Sequence, residues 1–259
     1  MDNFRNQHRS RRYQAHVSMF GTTQLHFRNP YIVACWSLAF PGFGHLLLNK
    51  YLRGYALVIW EMFINQKIHL NLAMVYSFNG QFQAAKEVLD PKFTIMYIPV
   101  YLFAIWDSYR TAVDLNKVYV LAHRENAPFS TFSIGVLEIN YLDERKPWLA
   151  AFWSACIPSM GQLYLHRIVL AVFVLIFTIL IIDRSNFIWS LHFLILGDLR
   201  QSSAVLDTQW LLYIPSFYLF NIYEAYINAV ENNKLFNTDL KNYLRRNYQP
   251  KGRFFQYKE

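Results

Sequence analysis

Three acids in this chain stand inside apolar stretches. Glu61, Asn65 and His69 are spaced i, i+4, i+8, which puts them on one face of a helix. A carboxylate, an amide and an imidazole in line suit a proton or cation path, with Lys67 nearby on another part of the helix. The competing reading is a structural hydrogen bond in a short or buried helix. Asp107 and Glu224 each end a long aromatic stretch, and each is followed two residues later by Tyr109 or Tyr226. Two matched acids could share a cation. The competing reading is pairing with a nearby base, such as Arg110 or a basic turn.

Asp107 and Glu224 match because the chain repeats. At an offset of 117 residues, Pro30 meets Pro147, Trp36-Ser37 meets Trp153-Ser154, Pro41 meets Pro158 and Gly44 meets Gly161. Val88-Leu89-Asp90 meets Val205-Leu206-Asp207. Tyr97-Ile98-Pro99 meets Tyr213-Ile214-Pro215 after a slip of one, and Phe103, Ala112 and Asn116 meet Phe220, Ala229 and Asn233. Two units result, 28–119 and 145–236, between a basic arm (1–27), a linker (120–144) and a basic tail (237–259). Glu61 meets Thr178 and Asn65 meets Ile182, so the halves diverge there.

Each unit opens with an apolar segment interrupted by Pro and Gly: Pro41, Gly42 and Gly44 in the first, Pro158 and Gly161 followed by Gln162 in the second. Proline removes a helix hydrogen bond and glycine permits close approach, so a bend is expected. A basic turn, a second apolar segment, an amphipathic stretch and a third apolar segment follow. Hydrophobic residues make up 54% and aromatics 18%, with only 16% charged. Soluble domains carry roughly 25% charged residues, so this composition points to lipid.

The expected fold is therefore an all-α polytopic helical membrane protein with an internal tandem repeat. It has four spanning helices plus two re-entrant or interfacial hairpins. The alternative is six spanning helices with inverted repeats. Lys and Arg favour the first arrangement. It collects 20 of the 25 with the termini, linker and hairpin turns, leaving Lys86, Lys92, Arg184 and Arg200 opposite and Lys67 at the margin. The alternative gives 15 against 9.

Cys35 and Cys156 fit no metal or disulfide pattern and read as buried thiols. Arg9, Arg11 and Arg12 in the arm, and Lys241, Arg245 and Arg246 in an amphipathic helix at 238–248, are lipid or partner contacts. Residues 131–142 alternate loosely, with a faint echo at 14–25, and read as short strands or interfacial segments. No zinc-hydrolase, redox, nucleophile-elbow or phosphate-loop motif occurs, and no cofactor, metal or nucleic-acid partner is expected.

The interrupted segment resembles the Pro-Gly-x-Gly-[Gln/His]-x-Tyr pattern of small bacterial membrane-hairpin families and is similar to two-transmembrane-helix hairpin domains. Pro41, Gly42, Gly44, His45 and Gly54 carry the resemblance in the first unit. Pro158, Gly161, Gln162 and Tyr164 carry it in the second, with Asp107 and Glu224 as the terminal acids. Leu47, Asn49, Ser159, His166 and Ala171 depart from it. The resemblance implies a multi-pass inner-membrane protein of bacterial type and no established activity, and the Lys/Arg count places both termini in the cytosol. The leading functional expectation is a non-enzymatic membrane scaffold or accessory subunit, working through anionic lipid and a membrane partner or its own copies. A small transporter or channel is the alternative, and a lipid-modifying enzyme the third.

Overall fold

The computed structural model describes residues 12–125 and 129–248. Arg9 and Arg11 lie outside the described residues, as does the side chain of Arg246. The described residues are mainly helical, with two short antiparallel hairpins. The first half runs β1 (Ala15–Ser18), β2 (Gly21–Gln24), α1 (Pro30–Ala39), α2 (Phe43–Leu47), α3 (Tyr51–Ile68), α4 (Leu70–Phe78), α5 (Phe82–Val88) and α6 (Pro91–Glu125). The second runs β3 (Phe132–Ile134), β4 (Ile139–Tyr141), α7 (Pro147–Cys156), α8 (Met160–Tyr164), α9 (Ile168–Arg184), α10 (Phe187–Ile195), α11 (Leu199–Val205), α12 (Thr208–Leu211) and α13 (Tyr213–Asn247).

The elements recur at the 117-residue spacing, and so does their local chemistry. Asp90 Oδ1 accepts from the amides of Lys92 and Phe93 at 2.9 and 3.3 Å. Asp207 Oδ1 accepts from Gln209 and Trp210 at the same two distances. The repeated Val-Leu-Asp is thus a helix N-cap, satisfying amides that have no intrahelical acceptor. Left-handed residues also come in matched pairs: Asn49 with His166, His69 with Asn186, and Gly80 with Gly197. Gly42, at φ 100°, is matched by Ser159 at φ 97°. Residues 14–25 and 131–142 form the two β-hairpins.

Each Pro/Gly segment folds back on itself. A Cβ on Gly44 would lie 2.3 Å from Ser37 Oγ and 2.5 Å from the Val33 carbonyl. One on Gly161 would lie 2.1 Å from Ser154 Oγ and 2.3 Å from the Ala150 carbonyl. The returning limb therefore lies against the first, and Leu48 packs on Val33 and Leu165 on Ala150. Small residues allow this approach, as they do between membrane helices.

The main core lies between the halves. Phe40, Phe43, Leu46, Leu47, Val58 and Met62 of the first meet Leu170, Val174, Ile181, Tyr213, Phe217 and Phe220 of the second. Among the described residues no single helix is long and apolar enough to cross a membrane. Two bent pairs pass together, α5 with α6 at 91° and α9 with α10 at 59°. Cys35 and Cys156 are exposed on α1 and α7, not buried as expected, because both helices bury their small Val33/Ser37 and Ala150/Ser154 faces instead. The expected amphipathic tail is not a separate helix: it forms the last turns of α13, which runs unbroken for about 52 Å at 1.5 Å per residue.

Candidate functional site

Three clusters of interior polar groups stand out among the described residues. The first two are matched and sit where each hairpin meets its long helix. In the first half, buried His45 Nε2 lies 3.0 Å from Asp107 Oδ2, which also accepts from Arg53 Nη1 at 3.2 Å. In the second half, Gln162 replaces the histidine. Its Nε2 donates to Glu224 Oε2 at 3.1 Å and to the Asn221 carbonyl at 3.1 Å, and Asn228 donates to Glu224 Oε1 at 2.7 Å. Arg167 completes the ion pair with Glu224. The bases come from the turns after the hairpins, not from Arg110, which faces Asp114 at 3.9 Å.

Burial separates the two joints. Glu224 and Arg167 are fully enclosed, whereas Arg53 is well exposed. Arg167 also reaches across to Asn49 Oδ1 at 2.9 Å and to the Tyr51 hydroxyl, tying the second joint to the first half. Burial opposes its charge, but Glu224 and Tyr51 outweigh that and hold its pKa above the ordinary arginine value. Close by, burial together with the charges of Arg28 and Arg167 pushes the His26 imidazole down to about 3. Backbone clamps complete this end. Asn116 accepts from the Arg28 amide at 3.0 Å and donates to its carbonyl at 2.7 Å, and Asn233 does the same for Arg145 at 2.9 and 2.7 Å.

The third cluster has no counterpart. Glu61 Oε1 accepts from Asn65 at 3.1 Å and from the Tyr97 hydroxyl at 3.3 Å. Asn65 continues to Asn71 at 3.1 Å, and Gln209 of the second half donates to Asn65 Oδ1 at 2.9 Å. Asn71 returns a bond to the Gln209 carbonyl at 2.9 Å. The network joins α3 and α4 to α12. His69 does not share this face. The helix ends at Ile68, and His69 is its left-handed cap, exposed and turned away. In the second half, Thr178 and Ile182 instead line a groove of about 500 Å³ with Pro158, Ile181, Phe187 and Ile214.

The candidate path residues are therefore not brought together. Glu61, Asp107 and Glu224 have separate partner sets among the described residues. Among those residues no group of three or more His, Cys, Asp and Glu is placed to hold a metal ion. Arg12, at the edge of the arm, pairs with Glu125 at 2.5 Å, while Lys241 and Arg245 are exposed. Arg167 belongs to the basic turn expected to pair with an acid, whereas Asn71, Gln209 and His26 also carry interior polarity and were not singled out in sequence. None is matched by its own type across the repeat, which removes the signal that found the others. No family model, curated protein or solved structure matches this chain.

Proposed function

We propose that this chain is a non-enzymatic integral membrane scaffold, built by duplication of one unit and inserted with its two units parallel. α3, α6, α9 and α13 are the spanning legs, and the Pro/Gly hairpins are re-entrant. The linker and both termini share the cytosolic face of an inner membrane, where Arg12, Lys241 and Arg245 meet anionic lipid or a partner. The observation that carries the reading is that Asp107, Glu224 and Glu61 each sit in a joint between elements. Asp107 and Glu224 fasten hairpin to helix, and Glu61 fastens α3 to α6 through Tyr97, beside the Asn65–Gln209 bond that joins the halves. Polar groups at depth that hold elements together leave no continuous path for an ion.

A transporter remains the second reading because of one feature. Glu61 Oε2, Gln66 Nε2 and Tyr213 Oη are buried without a hydrogen-bond partner. Reconstitution into liposomes with an imposed proton or sodium gradient separates the two. The scaffold predicts leakage no greater than from empty liposomes, and a folded Glu61→Gln variant. Flux that is lost in Glu61→Gln would replace the scaffold with the transporter.

A further inference from the structure

The two halves do not meet symmetrically. The hairpin face of the first half, Trp36, Phe40 and Phe43, packs on the α13 face of the second, Tyr213, Phe217 and Phe220. Phe43 stacks on Phe220 at 4.1 Å between ring centroids, Trp36 meets it edge-on at 5.4 Å, and Phe40 meets Tyr213 at 5.9 Å. A symmetric pair of units would repeat this contact in reverse. It does not. The counterpart of Phe220, which is 1% exposed, is Phe103 at 54%, and the counterpart of Phe40 at 4% is Ile157 at 48%. Met96, Phe103 and Trp106 on α6 form an open apolar face, and so do Trp153 and Ile157 on the second hairpin.

A contact between unlike faces of equivalent units is heterologous. It leaves one face of each kind unused at the ends of the pair, and these two fit each other. We infer that the second hairpin of one copy docks on α6 of a second copy of this chain, repeating the contact already made between its own halves. The inference builds on the membrane scaffold reading and names its partner. Continuity with the internal interface identifies that partner: Trp153 stands where Trp36 meets Phe220, and Phe103 stands where Phe220 receives it. Aromatic side chains at such a contact supply most of its dispersion energy, the main attraction available between helices in lipid. The polar joint at Asn71 and Gln209 is not repeated, since Ile188 and Lys92 occupy the matching positions. The contact between copies is therefore confined to the level of the hairpins.

The test uses full-length chains carrying Cys35→Ser and Cys156→Ser. One form adds Trp153→Cys, a second Phe103→Cys, and a third Ile179→Cys, an exposed site on α9 that belongs to neither face. The forms are co-expressed in pairs with distinguishable tags, and the membranes are oxidised. A disulfide-linked dimer from the Trp153→Cys and Phe103→Cys pair, absent from either form alone and from pairs with Ile179→Cys, is the expected result. Equal yields in all pairs, no dimer, or self-linking at Phe103→Cys would overturn the inference. Carbonate extraction of the same membranes is read first. If the chain is released, the membrane reading fails independently of the contact between copies.

Discussion

The same scaffold position holds a polar network in one half and a greasy groove in the other. At Glu61 and Asn65 the first half builds hydrogen bonds that reach Gln209 in its neighbour. At Thr178 and Ile182 the second half builds no network: Thr178 Oγ1 donates only to the Val174 carbonyl, and about 500 Å³ is left open. The backbone barely registers the change: caps, left-handed turns and hairpins stay in step. The difference follows from position in the pair. The first half has a neighbour beside α3 and α4, and Gln209 can satisfy buried amides there. The second half has no such neighbour, and an unsatisfied amide or acid at that depth would cost several kcal/mol, roughly the penalty for a lone polar group away from water.

The matched ion pairs offer the largest contrast. Glu224→Gln leaves Arg167 enclosed without its carboxylate and should cost about 3–5 kcal/mol, the range for breaking a buried pair. Asp107→Asn faces the exposed Arg53 and should cost no more than about 1 kcal/mol. Denaturant titration in mild detergent compares them, and equal costs would remove the distinction between the two joints.

The halves also differ in how they respond to acid. His26 is buried, while its counterpart Asp143 is exposed. With a pKa near 3 in the fold and about 6.5 in the unfolded chain, His26 must stay neutral to remain buried. Its contribution is complete above pH 6.5 and is lost as pH falls toward 3, by about 1.4 kcal/mol per unit. Thermal melts at pH 7.5 and 5.5 should differ accordingly, and His26→Gln should flatten that difference. An unchanged slope in His26→Gln would assign the acid response elsewhere.

The smallest expected effect concerns Ser159, held at φ 97° with a buried, unpartnered hydroxyl where the first half has Gly42. Ser159→Gly relieves that conformation and should stabilise the chain by about 1 kcal/mol. The reciprocal Gly42→Ser should be disruptive, because a Cβ there lies 2.5 Å from the Gly54 carbonyl. A destabilised Ser159→Gly would mean that the hydroxyl, and not the backbone, decides this position.

Much of this architecture was legible from the chain compared with itself. Val-Leu-Asp, the serines Ser37 and Ser154 and the paired Asn116 and Asn233 survive in both halves because they cap, pack and clamp inside a single unit. What could not be read lies between the halves. The bonds between Asn71 and Gln209 join the two halves, so neither residue is set by its own unit alone, and Arg167 takes partners 118 and 116 residues away. His69 misled for a different reason: helical spacing assumes the helix continues, and a left-handed residue ends it.

The parallel arrangement of the units is the central claim, and matched positions test it without reference to either terminus. In a chain with Cys35→Ser and Cys156→Ser, a single cysteine is placed at Lys86→Cys or at Ser203→Cys, exposed sites on α5 and α11 separated by 117 residues. Intact cells are treated with a membrane-impermeant maleimide. The account predicts the same result at both sites, labelling before lysis, with Ser130→Cys in the linker protected until lysis. Labelling at one of the two matched sites and protection of the other would mean inverted units, fully crossing hairpins and a different protein from the one described.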